Sequence, residues 1–204
     1  MPQQFTFVVD GATRFQCTLA SEQCTAKNAS THQQCRNRSV IGVPLCWQHL
    51  KSQKHLRVKE STIAGAGRGL FAQDSRSGDN DIVFRKDDVI VAYSGDVIDN
   101  AELERRYGEF TAPYGIMLSR QSDKYEDAAC RRGVGSLVNH SPANANVKLS
   151  VVARNGMHYA QLKATRPIRN GRELFTNYGR DYLFHEKRAS YTTKPLSSPR
   201  ARRR

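Results

Sequence analysis

The stretch LVNHSPAN at residues 137–144 and the stretch GRELFTNYG at 171–179 carry most of the information on the architecture of this 204-residue chain. They follow a glycine-rich stretch, GAGRGLFA at 65–72, whose missing side chains permit unusual backbone angles and the close approach of a ligand. This stretch is not a Walker loop, because no Gly-Lys-Ser/Thr follows it, and it lacks the helix that a Rossmann fingerprint requires. By itself it predicts only a glycine turn, so the information lies in the order of the three blocks.

In their order and in the intervals between them, the three blocks resemble the SET-domain methyltransferases. The linking phrases KDDVIVAYSGD at 86–96 and ATRPIRNG at 164–171 resemble the same family, and the likeness covers roughly residues 56–182. It implies a mostly β fold of the β-clip type with few short helices, in which the Asn-His-Ser and Glu-Leu segments form a knot-like arrangement. It also implies an S-adenosylmethionine-dependent protein-lysine N-methyltransferase that acts on a histone tail.

The resemblance places the cofactor S-adenosylmethionine against several segments that are distant in sequence. In the family, the backbone of the glycine-rich block lies against the cofactor and the Asn-His pair hydrogen-bonds it. One further tyrosine holds the amino-acid end of the cofactor, and another is a candidate for stacking on the adenine. The implied cofactor-binding residues are Gly67, Arg68, Gly69, Tyr114, Asn139, His140 and Tyr182.

Two tyrosines are the implied catalytic residues, with Tyr178 beside the transferred methyl group and Tyr93 in the lysine channel. Methyl transfer is an in-line displacement by a neutral amine, so the enzyme must align nitrogen, methyl and sulfur and bind the lysine deprotonated. An aromatic channel meets both demands, because desolvation lowers the pKa of a lysine and tyrosine rings flank its alkyl stem. The alternative for each tyrosine is a half-buried packing residue.

The chain departs from the family in its cysteines. The usual Asn-His-Ser-Cys-x-Pro-Asn is shortened here to NHSPAN at 139–144, and the C-terminal tail also lacks cysteine. In many members that cysteine joins a zinc site behind the SET domain that closes the lysine channel. The channel must therefore close differently, and we expect its wall in residues 181–185, as a short helix.

Ahead of the SET-like region, a second motif predicts a zinc site. Cys24, Cys35, Cys46 and His49 are separated by ten, ten and two residues. Three thiolates and one imidazole suit tetrahedral zinc, and the stretch resembles a small zinc-finger-like module that needs the metal because its own burial is small. Unrelated buried thiols are the alternative, and Cys17 is either a spare thiol or a competing fourth ligand.

The composition fits one full domain with a small appended module. The hydrophobic fraction is 38%, and no apolar run reaches the length of about 18 residues that a membrane helix needs. The first residues lack the basic and apolar regions of a secretory signal. We therefore expect an intracellular protein whose five cysteines are thiols or metal ligands rather than disulfides, with Cys130 as a core thiol.

The chain is basic, with 32 Lys and Arg against 19 Asp and Glu and a net charge of +13, which favours attraction to nucleic acid or chromatin. The segment SPRARRR at 198–204 has almost no apolar side chain to anchor it. It is either a solvated tail or a nuclear-import or nucleic-acid-binding segment. We expect a zinc-binding module at 1–55, a SET domain at 56–185 and a basic, disordered tail at 186–204.

Three functions stay open on these observations. The leading hypothesis is a nuclear lysine methyltransferase of chromatin whose basic tail docks on nucleosomal DNA. The rival is a catalytically weak SET fold that binds chromatin or nucleic acid, and the third is a methyltransferase for a non-histone protein. The patterns predict strands at 56–59, 88–93, 114–118, 146–152 and 158–164, and helices at 100–107 and 180–189.

Overall fold

The computed structural model describes residues 3–19, 21–40, 43–74, 76–119, 121–180, 182 and 187–195. The strands of this part are β1 (Gln3–Val9), β2 (Ala12–Leu19), β3 (Leu56–Glu60), β4 (Arg68–Ala72), β5 (Ile82–Phe84), β6 (Val89–Ala92), β7 (Asp96–Asp99), β8 (Gly115–Ser119), β9 (Lys124–Asp127), β10 (Asn139–His140), β11 (Val147–Arg154), β12 (Met157–Ala164), β13 (Ile168–Arg169), β14 (Phe175–Thr176) and β15 (Ala189–Pro195). The helices are α1 (Trp47–Lys54), α2 (Asn100–Tyr107) and the 3₁₀ helix Val134–Leu137.

Small sheets build the domain, in the strand orders β15-β1-β2, β3-β4, β11-β12-β6, β13-β5, β7-β9-β8 and β10-β14. Of the described residues, 43% lie in strands and 11% in helices, which confirms the predicted mostly β fold. The five predicted strands and the helix at 100–107 are also confirmed. Local turn chemistry explains one hairpin well, because Asn155 and Gly156 between β11 and β12 both adopt the positive φ of a type I′ turn.

A single apolar cluster joins the cysteine-rich segment to the SET-like part. Leu50 of α1 is fully buried and packs in one cluster with Leu56 of β3, Leu70 of β4 and the metal-site candidates Cys24 and Cys46. Burying one such leucine contributes roughly 1.5–3 kcal/mol. The segment before β3 therefore shares its core with the rest of the chain and does not pack separately.

The two ends of the described chain form one antiparallel sheet, which we call the terminal sheet (β1, β2 and β15). β15 pairs with β1 from Gln3 opposite Pro195 to Val9 opposite Ala189. The predicted disordered tail at 186–204 is thus wrong for β15, and the predicted helix at 180–189 is wrong at Ala189, where the strand begins. Residues 181, 183–186 and 196–204, which include most of the expected wall and the SPRARRR segment, lie outside the described residues.

A disulfide ties the terminal sheet to the rest of the domain. Cys17 of β2 is bonded to Cys130, which follows β9, across 113 residues of sequence. This corrects the expectation that all five cysteines are thiols or metal ligands, and it removes Cys17 from the candidate zinc ligands. Sequence spacing gave no hint of the pair, because only the folded sheet brings the two residues together.

A buried ion pair fixes α2 against β9, ahead of the segment that carries Cys130. The Asp127 carboxylate is fully buried and accepts hydrogen bonds from Arg106 Nη1 and from the Tyr107 hydroxyl, each at 2.8 Å. The backbone N–H of Ala129 donates to the other oxygen at 3.0 Å. A buried carboxylate needs such partners to offset its desolvation, so the position of α2 is closely specified.

The segment after β9 crosses close to the backbone of β6. A Cβ at Gly135 would lie 2.6 Å from the carbonyl oxygen of Ala92, and one at Gly133 would lie 2.3 Å from that of Tyr93. Only glycine permits this approach. The crossing leads into β10, which pairs in parallel with β14, so that Asn139 lies opposite Phe175. This junction of distant segments is the knot-like arrangement expected from the sequence.

Candidate active site

Asn139 lies where the glycine-rich stretch and the Glu-Leu segment meet. Its Nδ2 donates hydrogen bonds to the carbonyl oxygen of Arg68 and to Oε1 of Glu173, both at 3.2 Å. Since both partners are acceptors, they fix the orientation of the amide. The Asn139 carbonyl oxygen is therefore directed away from Glu173 and can accept a hydrogen bond from a ligand.

The Glu173 carboxylate is the hub of this junction and is only 5% exposed. Oε1 accepts from the Ser61 hydroxyl at 2.7 Å, and Oε2 accepts from the Thr62 N–H and hydroxyl at 2.7 and 2.6 Å. A Cβ at Gly69 would lie 2.1 Å from Oε1. The missing side chain at Gly69 thus makes room for Glu173, which is the close approach that the glycine-rich stretch allows.

Tyr178 and His140 are joined across the β10–β14 pair. The backbone N–H of Tyr178 donates to Nδ1 of His140 at 3.0 Å, and the Tyr178 hydroxyl donates to the carbonyl oxygen of Val138 at 2.7 Å. The two rings meet edge to face with centroids 5.2 Å apart. The sequence therefore positions Tyr178 through the same segment that carries Asn139 and His140.

A narrow pocket of about 60 Å³ opens beside these residues. It is lined by Tyr93, Pro113, Tyr114, Gly115, Ile116, Ser136, Val138, Leu149, Tyr178 and Tyr182. Four of its ten lining residues are tyrosines, and we call it the tyrosine pocket. The Tyr93 hydroxyl donates to the carbonyl oxygen of Tyr114 at 2.9 Å. The ring centroids of Tyr178 and Tyr182 lie 4.8 Å apart. The lining of the pocket is thus largely aromatic and aliphatic.

Burial sets the protonation of the site. It raises the pKa of the Tyr93 hydroxyl well above its usual value, and neighbouring tyrosines add to the effect. Burial also raises the pKa of Tyr178 and of Tyr182. Desolvation lowers the pKa of His140, which favours the neutral ring that accepts the N–H of Tyr178 at Nδ1. Near neutral pH these phenols stay protonated and act as hydrogen-bond donors rather than as bases.

The predicted site residues come together in two adjoining groups. Arg68, Gly69 and Asn139 meet at Glu173, and the tyrosine pocket gathers Tyr93, Tyr114, Tyr178 and Tyr182. His140 connects the two groups through Tyr178. Gly67 has φ of +70°, and its carbonyl oxygen accepts the Ser61 N–H at 2.7 Å, so it shapes the turn into β4. What each residue does for a ligand stays a prediction.

The predicted metal ligands also form a cluster. The ligand atoms of Cys24, Cys35, Cys46 and His49 all lie within 4.8 Å of one another, and His49 Nδ1 is 3.2 Å from Cys46 Sγ and 3.5 Å from Cys24 Sγ. Tetrahedral zinc with bonds of ~2.3 Å to sulfur holds its ligand atoms roughly 3.8 Å apart. The donor set and its spacing therefore suit zinc.

Sequence reasoning missed several residues that build the site. Ser61 and Thr62 bind Glu173 from more than 100 residues away, and they lie just before the glycine-rich stretch in the chain. Arg132 lies with its guanidinium 4.2 Å from the centroid of the Tyr114 ring. Polar residues beside a recognised motif were the available signal for Ser61 and Thr62. No local pattern marked Arg132.

Comparison with known families and proteins agrees with this geometry. The SET domain profile matches residues 67–179. The histone-lysine N-methyltransferase set-1 of Caenorhabditis elegans is 32% identical over 103 residues, which cover 47% of this chain and 43% of that protein. The N-lysine methyltransferase KMT5A-A of Xenopus laevis is 29% identical over 138 residues, which cover 64% of this chain and 38% of that protein. The chain thus spans less than half the length of these relatives.

Solved structures share the fold. The polycomb repressive complex 2 of Chaetomium thermophilum matches with a TM-score of 0.53 and 25% identity, covering 63% of this chain and 16% of the matched chain. The same complex in an autoinhibited conformation bound to S-adenosylmethionine matches with a TM-score of 0.51 and 25% identity, again over 63% and 16%. Within the described residues of the present chain, no helix has the length and apolar character needed to span a membrane.

Proposed function

The chain belongs to the SET-domain family, and we propose that it transfers a methyl group from S-adenosylmethionine to the side-chain amine of a lysine in another protein. The tyrosine pocket is the observation that carries the proposal, because it adjoins His140 through Tyr178 and is lined by four tyrosines. Aromatic rings of this kind suit the alkyl stem of a lysine.

S-adenosylmethionine supplies an electrophilic methyl group on a sulfonium centre when it is bound. The chain offers groups that suit it: backbone at Gly67, Arg68 and Gly69, and the outward carbonyl oxygen of Asn139. The aromatic faces of Tyr114, Tyr178 and Tyr182 favour a nearby cation. In the proposal these residues hold the cofactor together with His140, and Glu173 fixes the Asn139 amide that would contact it.

The lysine would enter between Tyr93 and Tyr178. Removing its ammonium group from water lowers its pKa and favours the neutral amine that attacks the methyl group. The Tyr93 and Tyr178 hydroxyls already donate to the carbonyl oxygens of Tyr114 and Val138, which fixes the direction of both rings. We assign Tyr178 and Tyr93 as the catalytic residues. In this role they align the amine, and neither removes its proton.

A histone is the proposed substrate, since one relative carries that substrate in its name. A net charge of +13 would draw the chain to the nucleosome, with the basic tail on nucleosomal DNA, and we place the protein in the nucleus on the same grounds. We further propose that Cys24, Cys35, Cys46 and His49 bind one structural zinc ion, which would stabilise the loop ahead of α1.

The test is a methyl-transfer assay with labelled S-adenosylmethionine and separate core histones, run on wild-type protein and two tyrosine variants. Tyr178→Phe removes the hydroxyl that donates to Val138. Tyr159→Phe, on β12 and not among the residues that line the pocket, is the matched control. We expect labelled histone from the wild type and the control, and a marked loss of labelling with Tyr178→Phe.

The rival functions give different results in the same assay. Label confined to non-histone proteins of a nuclear extract would keep the methyltransferase and replace the substrate. A wild-type protein that binds S-adenosylhomocysteine by calorimetry and labels no protein would refute the proposal. That second result would favour a chromatin-binding module.

A further inference from the structure

The terminal sheet places a strand from each end of the described chain beside the tyrosine pocket. β15 follows the pocket residue Tyr182 in the chain and is held by the full length of β1. Side chains alternate along β15, so Tyr191 and Thr193 lie on one face and Thr192 lies on the other. Both strands are fixed by backbone pairing, which is more rigid than a loop would be.

Tyr191 forms an aromatic cluster with one residue of β1 and one of the pocket. Its ring centroid lies 6.1 Å from that of Phe5 and 6.0 Å from that of Tyr114, and the Phe5 and Tyr114 rings are 5.9 Å apart. Phe5 is fully buried, whereas Tyr191 is 46% exposed. Tyr191 therefore supports Tyr114 with one side of its ring and leaves the other side accessible.

Tyr191 also lies beside a second pocket tyrosine. Its side chain contributes to the raised pKa of the Tyr182 hydroxyl. The Tyr182 hydroxyl itself donates to the carbonyl oxygen of Pro113 at 3.2 Å. Tyr191 thus adjoins two residues that line the pocket, Tyr114 and Tyr182.

Two further contacts brace the terminal sheet on the pocket. The guanidinium carbon of Arg132 lies 4.2 Å from the centroid of the Tyr114 ring and 5.9 Å from that of the Phe5 ring. Its Nη2 is 3.5 Å from the Thr193 hydroxyl of β15. The disulfide between Cys17 and Cys130 anchors β2 two residues before Arg132. The sheet is therefore attached to the pocket at both of its outer strands.

We propose that the terminal sheet forms the outer wall of the tyrosine pocket, and that Tyr191 is a positioning residue that sets substrate affinity through Tyr114 and Tyr182. The inference rests on the proposed function only for the identity of the substrate, a lysine side chain. Of the wall expected at residues 181–185, only Tyr182 lies within the described residues, and the proposal assigns the outer wall to β15 and to the N-terminal strand β1. The first strand of the chain is then part of the catalytic unit.

The variants Tyr191→Ala and Tyr191→Phe, with Thr192→Ala as the matched control, test this inference in the full chain. Thr192 is exposed on the opposite face of β15. With core histones as the substrate, Tyr191→Ala should raise KM for histone about tenfold, as expected for the loss of the ring contacts with Phe5 and Tyr114. The affinity for S-adenosylhomocysteine should fall as well, because Tyr114 and Tyr182 are also assigned to the cofactor, whereas the thermal midpoint should follow the control. Tyr191→Phe keeps the ring contacts and should recover part of the affinity.

Nitration of Tyr182 by tetranitromethane, located by peptide mass spectrometry, tests the wall without any turnover. We expect faster nitration of Tyr182 in Tyr191→Ala than in the wild type or in Thr192→Ala. An unchanged histone KM in an active Tyr191→Ala variant would overturn the positioning role. If the wild type methylates nothing, the proposed function fails, and the nitration rates still decide: equal rates in all variants would overturn the wall.

Discussion

Gly69→Ala would perturb the junction of the site more directly than any change in the pocket. The new Cβ would lie 2.1 Å from Glu173 Oε1 and 2.8 Å from Glu173 Cδ, where an unstrained contact is about 3.5 Å. Glu173 must therefore move, and it is buried. The oxygen that collides accepts hydrogen bonds from the Ser61 hydroxyl and from Asn139 Nδ2, so both are weakened together.

The expected loss follows from these contacts. A hydrogen bond to a charged group contributes roughly 1.5–3 kcal/mol, and overpacking costs typically about 1–3 kcal/mol. Allowing for partial relaxation, we expect the free energy of unfolding to fall by roughly 3 kcal/mol. Because Glu173 fixes the Asn139 amide, the affinity for S-adenosylhomocysteine should fall as well.

Urea unfolding and calorimetry would measure the two effects. Gly78→Ala is the matched control, because a Cβ there lies 3.7 Å from its nearest neighbour, Asp81 Oδ2, and φ is not positive. That variant should stay within about 0.5 kcal/mol of the wild type. In a Glu173→Ala background, alanine at 69 should cost much less, because the colliding carboxylate is gone. A Gly69→Ala variant as stable as Gly78→Ala, with unchanged affinity, would show that the position of Glu173 does not depend on the missing side chain at residue 69.

Three further predictions concern what holds the domain together. Cys17→Ser should lower the free energy of unfolding by roughly 4–5 kcal/mol, because the disulfide closes a loop of 113 residues in the unfolded chain. Wild-type protein reduced with dithiothreitol should unfold at the same urea concentration as the variant, whereas equal midpoints for the oxidised wild type and the variant would count against the prediction. Purified protein should contain zinc by atomic absorption, and both chelation and Cys46→Ala should lower the thermal midpoint; a stable, metal-free wild type would exclude the zinc site. Asp127→Asn weakens the buried pair with Arg106 and should cost up to about 3–5 kcal/mol, whereas a thermal midpoint equal to that of the wild type would show the pair to be dispensable.

The parts of the fold that could be predicted are those that local patterns encode. Short β-rich runs gave the strands at β3, β6, β8, β11 and β12, and α2 began at its expected residue, where the Asp99 side chain caps it by accepting from Glu102 N–H at 2.9 Å. The Cys and His spacing predicted which four residues cluster. Family motifs brought the pocket tyrosines and Asn139 to one region.

What the sequence did not reveal is long-range pairing. β1 and β15 lie at opposite ends of the chain, and nothing in either strand identifies its partner. The disulfide between Cys17 and Cys130 could not be predicted for the same reason, because the two residues meet only once the terminal sheet has folded. The role of Glu173 was also hidden, because its hydrogen bonds to Ser61 and Thr62 depend on how the glycine-rich turn meets β14. The helix α1 is short and has a single buried residue, Leu50, so its periodicity was too weak to predict.

Locating the transferred methyl group shows directly whether this protein methylates lysine. Core histones incubated with S-adenosylmethionine and either wild-type protein or Tyr178→Phe would be digested and sequenced by tandem mass spectrometry. We predict methyl groups on the side-chain nitrogen of lysine with the wild type and a marked loss with Tyr178→Phe, while both proteins bind S-adenosylhomocysteine equally. Methyl groups on residues other than lysine would exclude a lysine methyltransferase, and equal transfer by the two proteins would exclude the catalytic role of the Tyr178 hydroxyl.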